Sequence, residues 1–592
     1  MINLTIDDIK LQVADNSTIL DAAKQIGVHI PTLCYHDDLC VAGNCRVCVV
    51  EIEGRPRLET SCSTPVEDGM VIFTNAPKVR NARKVIVELL LSEHNEECTK
   101  CYKNKNCELQ NLAGEFYNNQ EEYLNLVPEH NHKIDKSSDA IQYDSSKCIK
   151  CQRCVRTCYD IQGVSALSAS HKGKDMKIST FMEKNFATVV CTNCGQCITH
   201  CPTGALTERL YFDDIWKAIE DPTKHVIVNT APSVRVGLGE PFGYEPGTIV
   251  TGQMAAALHR IGFDSVLDTN FTADLTIIEE GNELLHRLKK ALVDKEKVAL
   301  PMFTSCCPAW IKFCEHMYPE YLDNLSTAKS PQQMFGPMSK TYYAEKKGID
   351  PKDIVSVAIM PCTAKKFEAN RPEMNSSGHR DVDAGLTTRE LALMIKQAGI
   401  DLKELPNESF DSIMGESSGA ADIFGATGGV MEAALRTVYE VVTGREVPFT
   451  KLNITPVRGL EGIKEAVIKF EDCKPEYSWL NGVEFPIAVA HGLSNARKVM
   501  ELVKAGKAPY LFVEIMACPG GCIAGGGQPI PTNNEIRKKR MDAIYREDAG
   551  KSLRKSHENK EIIAIYNDFL EKPLGEKSHK FLHTHYIERM RY

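Results

Sequence analysis

The sequence predicts a multidomain protein of mixed α+β and α/β class, in which small cysteine-rich domains precede one large α/β domain. The first observation is length, because 592 residues are too many for one ordinary hydrophobic core. The second is that most of the 23 cysteines occur in closely spaced groups, within the first 209 residues or beyond residue 300. The third is that apolar β-branched segments alternate with helical stretches from about residue 210, which is typical of α/β layers.

Composition excludes several functions. The formal charge is −9, from 79 acidic and 70 basic residues without a basic block, so nucleic-acid binding is not expected. No apolar run approaches the ~18 residues of a membrane span, and the start MINLTIDDIK lacks a signal-peptide pattern. We therefore expect a cytoplasmic protein, with export beside a twin-arginine partner left open. Because cytoplasmic thiols are kept reduced, the cysteine groups predict metal ligation rather than disulfides.

Residues 1–78 predict a small β-rich domain. Alternating apolar residues indicate a hairpin of two strands, followed by a helix that Ser17 can cap and Gly27 can end. The cysteines that follow are Cys34, Cys45, Cys48 and Cys62. A long loop, a CxxC pair and one distant cysteine resemble the [2Fe-2S] ferredoxins of β-grasp fold. A zinc site is the alternative for the same four thiols.

Residues 79–125 contain a second ligand group within fourteen residues, namely His94, Cys98, Cys101 and Cys107. One imidazole and three thiolates can complete a four-coordinate site, and in isolation that set would suggest zinc. Directly after a [2Fe-2S] domain, however, the spacing resembles the histidine-ligated [4Fe-4S] module of respiratory complex I. We therefore predict a [4Fe-4S] cluster here.

Residues 138–209 contain two copies of one ferredoxin half. The runs are Cys148, Cys151, Cys154 and Cys158, then Cys191, Cys194, Cys197 and Cys201. In bacterial two-cluster ferredoxins, the fourth cysteine of each run binds the other cluster. One [4Fe-4S] cluster should therefore use Cys148, Cys151, Cys154 and Cys201, and the second Cys158, Cys191, Cys194 and Cys197. One [2Fe-2S] and three [4Fe-4S] clusters would form an electron relay, which we expect to run in series.

Residues 210–592 predict the large α/β domain. Its candidate strands are HVIVN, SVLD, VALPMF, IVSVAIM, PIAVA and YLFVEIM. Three of them are directly followed by cysteines, and ligands of parallel sheets gather beyond the carboxyl ends of strands. The cysteines are Cys306 and Cys307, Cys362, and Cys518 and Cys522. Four of these thiols suffice for another cubane, whereas Cys306 is too close to Cys307 to bind the same iron easily.

The motifs TSCCPAW, MPCTAKKFE and EIMACPGGCIAGGGQP closely resemble the signature motifs of [FeFe]-hydrogenases. The resemblance implies that Cys307, Cys362, Cys518 and Cys522 hold a [4Fe-4S] cube. It also implies that Cys522 bridges to a di-iron subsite with carbon monoxide, cyanide and a dithiolate amine, completing the H-cluster. The other residues that the resemblance assigns to this cofactor are Lys365, Ser233, Pro232, Gln332, Met360 and Met516.

Cleavage of H2 releases a proton that must leave the buried site. The resemblance assigns this transfer to Cys306, followed by Glu280, Ser326, Glu283 and Arg287 at the exit. From the residues alone, Glu280 and Glu283 lie on one face of a predicted helix, where a solvated acidic stripe is the commonest explanation.

A few reactive residues fall outside every motif. We interpret Cys40 as a packed thiol, and Cys314, Cys473 and His286 as structural residues. The basic tail KSHKFLHTHYIERMRY contains histidines without ligand spacing and is interpreted as a docking or capping segment.

The sequence therefore predicts an oxidoreductase for H2 and protons. We favour the hydrogen-activating chain of a multimeric complex linked to NAD and ferredoxin, with flavin-containing and iron-sulfur partner subunits, because no nucleotide fingerprint is visible. A stand-alone ferredoxin-dependent hydrogenase is the first alternative. A non-catalytic iron-sulfur assembly factor and a pure electron-transfer protein are remote alternatives, and Cys306 and Cys522 argue against them.

Overall fold

The computed structural model describes residues 1–116 and 133–591. Its strands are β1 (Ile2–Ile6), β2 (Ile9–Val13), β3 (Val49–Ile52), β4 (Glu59–Thr60), β5 (Met70–Phe73), β6 (Ile134–Asp135), β7 (Ile141–Asp144), β8 (Ser168–Ser170), β9 (Lys177–Ser179), β10 (Leu206–Glu208), β11 (His225–Thr230), β12 (Ser265–Asp268), β13 (Met302–Phe303), β14 (Ile354–Met360), β15 (Ala384–Thr387), β16 (Ile463–Lys469), β17 (Glu484–His491) and β18 (Phe512–Met516). The predicted mixed α+β and α/β class is confirmed.

The helices surround these strands. They are α1 (Ile19–Gln25), α2 (Pro77–Ser92), α3 (Glu108–Phe116), α4 (Arg153–Arg156), α5 (Gln196–His200), α6 (Phe212–Glu220), α7 (Thr251–Ile261), α8 (Thr269–Leu292), α9 (Pro308–Met317), α10 (Pro331–Met338), α11 (Ala344–Lys347), α12 (Ala364–Ala369), α13 (Thr388–Gln397), α14 (Gly419–Asp422), α15 (Gly429–Thr443), α16 (Leu493–Lys504), α17 (Asn534–Gly550), α18 (Lys560–Ile565) and α19 (Glu576–Leu582). None of them, across the described residues, is long and apolar enough to cross a membrane.

The amino-terminal domain is a five-stranded sheet in the order β2-β1-β5-β3-β4, covered by α1. The predicted hairpin is present, with Ile6 opposite Ile9. The helix cap is Thr18 rather than the predicted Ser17. Asp21 N donates to Thr18 Oγ1 at 3.2 Å, and Thr18 N donates to Asp21 Oδ2 at 3.0 Å. This reciprocal capping box needs an acidic or amide side chain three residues after the cap, which only Thr18 has.

The two ferredoxin halves repeat one backbone geometry. In each half, a residue with positive φ precedes a short helix that contains a cysteine: Gln152 (φ 61°) precedes α4, and Gly195 (φ 70°) precedes α5. The strands around them form a β10-β7-β6 sheet and a β8-β9 hairpin. In the preceding module, predicted to span 79–125, residues 117–125 lie outside the described part of the chain.

The large domain contains two four-stranded sheets. The first has the order β12-β11-β14-β15 and is parallel throughout. The second has the order β13-β18-β17-β16, in which β16 is an antiparallel edge strand. The segment VALPMF forms a strand only at Met302–Phe303. Pro301 precedes it and has no N–H to donate to a ladder, which explains the shortening.

Charged pairs join the domains. Glu208 at the end of the ferredoxin domain accepts two hydrogen bonds from Arg389 of the large domain, both 2.8 Å, and one of 2.6 Å from Tyr102. Asp38 of the amino-terminal domain pairs with Arg537 of α17, with Nη1 2.9 Å from Oδ1. Because both pairs are largely buried, loss of one partner would leave an uncompensated charge.

Candidate metal centres and active site

A cavity lies where the carboxyl ends of β11, β13, β14 and β18 meet. Each of these strands is followed by a loop that reaches the cavity, because parallel strands present their carboxyl ends at one edge. The lining includes all five predicted cysteines, Cys306, Cys307, Cys362, Cys518 and Cys522. The structure thus brings together three motifs that are spread over more than 200 residues of the chain.

The chemistry of this lining suits a metal cluster. Burial raises the pKa of every one of the five thiols, and that of Cys362 reaches about 12. Buried neutral thiols gain little from one another, whereas metal ions deprotonate coordinating thiols and compensate the charge. Cys307 Sγ accepts one weak bond, from Ala517 N at 3.4 Å. The residues present therefore fit a cluster bound by four thiolates.

The six other residues predicted to bind the cofactor also line this cavity: Pro232, Ser233, Gln332, Met360, Lys365 and Met516. Lys365 is the one charged side chain in that lining among the described residues. Its Nζ donates to Cys306 O at 3.1 Å and to Glu368 Oε2 at 2.8 Å. Gln332 Oε1 is buried without a hydrogen-bond partner in the described structure, leaving an acceptor next to the cavity.

Several lining residues were not predicted from the sequence. Phe424, Thr269 and Ala273 contribute to the wall, and no motif distinguishes them. Gly521 has a φ of 97°, and a Cβ there would lie 2.6 Å from Thr427 N and 3.0 Å from Met516 Sδ. The glycine beside Cys522 is therefore required both by backbone conformation and by close packing.

The predicted proton relay begins beside the cavity. Glu280 is buried in α8, and burial together with the nearby Glu283 carboxylate raises its pKa to about 8. Its oxygens make no hydrogen bond within 3.5 Å among the described residues, although the Ser326 hydroxyl and Ser305 N–H lie near enough to oppose the increase. Burial is the main cause of the raised pKa of Cys306, and the charge on Glu280 is the second cause. The two groups are therefore near enough to interact electrostatically.

The relay continues to Glu283, one helical turn further along α8. Ser326 Oγ donates to Glu283 Oε2 at 3.0 Å. Arg287 donates to Glu283 Oε1 through Nη2 at 2.6 Å and Nε at 3.1 Å. Ser326, Glu283 and Arg287 are thus joined by hydrogen bonds, and Glu280 and Cys306 lie between this group and the cavity, near enough to interact electrostatically. The solvated acidic stripe is excluded, because Glu280 and Glu283 are both buried.

The ferredoxin cysteines surround two small buried cavities. One is lined by Cys148, Cys151, Cys154 and Cys201, and the other by Cys158, Cys191, Cys194 and Cys197. Each set takes three cysteines from one run and one from the other, which is the grouping expected from the crossed pattern. Burial raises the pKa of the thiols in the second set, with Cys158 at about 11 and Cys194 at about 12.

The two remaining sets lie closer to the amino terminus. Cys45 N is 3.4 Å from Cys34 Sγ, and Cys48 Sγ is 3.4 Å from Cys62 Sγ. The close approach of these thiols is compatible with the predicted cluster site. In the next module, Cys98 and Cys107 both lie near Cys101. His94 Nδ1 is buried without a partner in the described residues, as suits a nitrogen that binds a metal.

The contacts between these sets form a branched arrangement instead of the expected series. Cys34, Cys107 and Cys151 share one apolar cluster, so the two amino-terminal sets both adjoin the first ferredoxin set. A Cβ at Gly204 would lie 2.6 Å from Cys101 Sγ. A Cβ at Gly526 would clash with Cys194 O, so the second ferredoxin set adjoins the large cavity.

The residues outside the motifs differ in burial. Cys314 is buried in α9 and is consistent with a structural role. Cys473 is partly buried and His286 is exposed. Cys40 is exposed, with Sγ 3.2 Å from Asp160 Oδ2, so the interpretation as a packed thiol was wrong. Its neighbours Val41 and Ala42, in the loop between Cys34 and Cys45, are also exposed.

Family comparisons match almost every part of the chain. The C-terminal domain of the iron-only hydrogenase large subunit matches residues 224–526, and the iron hydrogenase small subunit matches 534–589. The chain is 51% identical, over the full length of both proteins, to the NADP-reducing hydrogenase subunit HndD of Solidesulfovibrio fructosivorans. This chain belongs to the iron-only hydrogenases. It is also 41% identical to iron hydrogenase 1 of Clostridium pasteurianum, over 99% of this hydrogenase and 100% of that protein.

The amino-terminal part of the hydrogenase matches iron-sulfur families. The 2Fe-2S iron-sulfur cluster binding domain matches 1–77, the NADH-ubiquinone oxidoreductase-G iron-sulfur binding region 83–121, and the ferredoxin-like domain of NADH-quinone oxidoreductase subunit 3 matches 138–207. Apo [FeFe]-hydrogenase HydA1 from Chlamydomonas reinhardtii superimposes with a TM-score of 0.56 at 46% identity, covering 63% of this chain and 98% of that one. The hydrogenase therefore combines iron-sulfur domains of the [2Fe-2S] and [4Fe-4S] kinds with a hydrogenase domain.

Proposed function

We propose that this hydrogenase interconverts H2 with protons and electrons at an H-cluster held in the large cavity. Cys307, Cys362, Cys518 and Cys522 would hold the cube, and Cys522 would also hold the di-iron subsite. When bound, that cofactor supplies the metal that activates H2 and exchanges its electrons. The observation that carries the proposal is the meeting of all five cysteines and all six other predicted residues around one buried cavity.

Other residues around the cavity would hold the cofactor by hydrogen bonds and packing. Lys365 presents an ammonium group that is fixed by Glu368 and by Cys306 O, so its free N–H can donate to an anionic ligand. Ser233 lies under the cavity with its carbonyl held by Gln528 Nε2 at 2.8 Å. Met360 and Met516 supply soft, adaptable packing against the cluster. These contacts would orient the di-iron subsite.

Proton movement is assigned to the chain's own side chains. Cys306 lies at the cavity and Glu280 behind it, and both are neutral acids at neutral pH because burial raises the pKa of each. A neutral thiol and a neutral carboxyl can each pass one proton on and receive another. Ser326 then connects Glu280 to Glu283, since its hydroxyl donates to Glu283 and lies next to Glu280.

Electron transfer is assigned to one [2Fe-2S] and three [4Fe-4S] clusters. The set of Cys158, Cys191, Cys194 and Cys197 would exchange electrons directly with the active site, because its backbone touches the Cys522 loop. Gln196 Nε2 donates to Ala524 O at 2.9 Å across the same contact. The His94 and Cys34 sets would provide two separate entrances that converge on the first ferredoxin set.

We further propose that the chain works as the hydrogen-activating subunit of a multimeric complex that exchanges electrons with a nicotinamide nucleotide and with ferredoxin. The support is the likeness to HndD, which is named as a subunit of an NADP-reducing hydrogenase. Two entrances in the amino-terminal part suit two electron partners. Flavin-containing and iron-sulfur partner subunits would supply the nucleotide chemistry.

The test uses anaerobically purified protein with its clusters, alone and together with co-purifying subunits. Infrared bands of metal-bound carbon monoxide and cyanide should be present, and their absence after proper maturation would refute the H-cluster. H2-dependent reduction is then measured with ferredoxin, with NAD or NADP, and with both. Full activity of the isolated chain with ferredoxin alone, and no associated subunits, would instead identify a stand-alone ferredoxin-dependent enzyme.

A further inference from the structure

Arg287, at the end of the proton relay, is unsuited to carry a proton. Its guanidinium donates two bonds to Glu283 Oε1 and three to the backbone carbonyls of Ala299, Asp323 and Leu325, at 2.6–3.2 Å. Every N–H is therefore engaged, and an arginine does not release a proton at physiological pH. Arg287 positions Glu283, and a proton that reaches Glu283 needs another way out.

A second hydroxyl contacts the same carboxylate. Thr327 Oγ1 is 3.2 Å from Glu283 Oε2, and Thr327 N donates to the same oxygen at 3.0 Å. On its other side, Thr327 Oγ1 is 2.8 Å from His583 Nδ1. One hydroxyl therefore connects the relay to an imidazole in the carboxyl-terminal tail. Unlike a guanidinium, an imidazole gains and loses a proton near neutral pH.

The imidazole is held in place by both its backbone and its other nitrogen. Lys329 N donates to Leu582 O at 2.7 Å and Thr584 N to Thr327 O at 2.8 Å, which fixes His583 opposite Ala328. His583 Nε2 is 3.0 Å from Glu279 Oε2. Burial alone would raise the pKa of Glu279, but hydrogen bonds from His583 and Tyr566 lower it overall. An ionised Glu279 can therefore stabilise an imidazolium.

His583 is largely buried but lies next to an exposed residue of the same helix end. It is 9% exposed, and the ring of the exposed His579 lies 4.6 Å from its ring, centroid to centroid. The titratable groups that face His583 are Glu279 and Glu283 from α8, His579 from α19 and, through Glu279, Tyr566. Beyond His579, the exposed His286 is the next titratable group.

We propose that Thr327 and His583 form the proton exit of the relay, an inference that rests on the proposed hydrogenase mechanism. Protonated Glu283 transfers its proton to Thr327 Oγ1 as the threonine's own proton passes to His583 Nδ1. The O–H bond of Glu283 breaks, one O–H bond forms and another breaks at Thr327 Oγ1, an N–H bond forms at His583 Nδ1, and no electrons move. The imidazolium, paired with Glu279, returns to neutral by releasing a proton to water or to His579. The reverse sequence delivers protons for H2 formation.

The first test compares Thr327→Val with Thr327→Ser in the complete, cluster-loaded protein. Valine keeps the shape and the backbone N–H bond to Glu283 but removes the hydroxyl, whereas serine keeps it. H2 turnover with an artificial electron carrier should fall at least about tenfold for valine and remain within about twofold for serine. The infrared bands of the active site should be unchanged in both. Valine turnover within about twofold of the unaltered protein would overturn the proposal.

The second test uses His583→Ala, with His585→Ala as the control, because His585 is exposed and lies two residues further along the same tail. Turnover should fall for His583→Ala alone and recover when imidazole is added. Substituted imidazoles of different acidity should shift the pH profile of the rescued activity, which a structural defect would not do. Absence of rescue, with intact infrared bands, refutes the exit. If the unaltered protein lacks those bands or turnover, the hydrogenase mechanism itself fails instead.

Discussion

Glu279 and Glu280 are neighbours in α8, yet their carboxyl groups have pKa shifts in opposite directions. Burial and the adjacent Glu283 raise the pKa of Glu280 to about 8. Glu279 is equally buried, but hydrogen bonds from His583, Tyr566 and Leu574 N outweigh that burial and lower its pKa. Because successive residues of a helix point about 100° apart, one turn of α8 presents a neutral acid to the active site and an anion to the tail.

Glu280→Gln should change the pH dependence of stability. The unfolded chain releases this proton near the ordinary pKa of 4.5, whereas the folded protein keeps it until about pH 8. Ionisation therefore destabilises the folded protein increasingly across that interval, and glutamine removes the effect. Calorimetry gives the difference in melting temperature between the variant and the unaltered protein. This difference should increase from about pH 5 to about pH 8 and then stay constant. A difference independent of pH would contradict the raised pKa.

Glu279→Gln is the matched comparison and should act in the opposite sense. A carboxylate with a lowered pKa stabilises the folded protein above its ordinary pKa, and that stability is lost as the pH falls through the folded-state value. At neutral pH the variant should therefore melt below the unaltered protein, by an amount equivalent to about 1.5–3 kcal/mol for each weakened hydrogen bond to charge. The deficit should shrink in acid. A variant as stable as its parent at neutral pH would show that Glu279 is not held as an anion.

Cys306→Ala should abolish most turnover without dismantling the site. Cys306 lines the cavity but is not a proposed ligand, so iron content and the infrared bands should be retained. Loss of a positioned proton donor lowers rates by about 10²–10⁴-fold. Cys473→Ala, at a partly buried thiol outside every ligand set, is the control and should keep its rate. Full turnover by the Cys306 variant would eliminate it from proton transfer.

Lys365→Met should impair retention of the di-iron subsite. The change removes the single charged group in the described cavity lining and leaves Glu368 buried without its cation, at a cost of about 3–5 kcal/mol. The double variant Lys365→Met with Glu368→Gln removes the orphaned charge and should recover most of the melting temperature. Infrared bands should stay weak in both. Recovery of the bands with the stability would mean that Lys365 is only structural.

Arg537→Met should loosen the docking of the amino-terminal domain. Asp38 would then keep a largely buried carboxylate without its guanidinium partner. Hydrogen exchange of the loop between Cys34 and Cys48 should accelerate, and adding Asp38→Asn should partly restore protection. Exchange that is unchanged in the single variant would show that other contacts, such as Arg156 with Cys34 O, hold the domain.

Most of the site was accessible from sequence because cluster ligands are constrained in type and spacing. The cysteine groups, the crossed ferredoxin pairing and the positions of the motifs after strands are all local features that the structure brings together. The cap at Thr18 shows where prediction from residue type fails. Ser17 and Thr18 both carry a hydroxyl, and they differ as caps only in the residue that lies three positions later. The edge strand β16 was missed because its alternating polar pattern resembles a surface segment.

The unpredicted features depend on contacts between distant segments. His583 pairs with Glu279 across more than 300 residues, and nothing in the tail's histidine spacing indicates a partner. The branching of the cluster sets likewise follows from the packing of Cys34, Cys107 and Cys151 in one apolar cluster. Phe424 joins the cavity wall from a Gly-rich segment with no chemical signature. Such relationships require the fold, because periodicity identifies a buried face but not its neighbour.

The carboxyl-terminal region matched by the small-subunit family contributes His583 to the proposed relay, which starts in the large domain. Here both regions belong to one polypeptide, so the carboxyl-terminal region packs against the large domain in an intramolecular step. A short tether raises the effective concentration of a binding segment to about millimolar. Assembly of the outer end of the relay should therefore be insensitive to dilution. A separately translated segment would first have to bind the large domain before it could transfer protons.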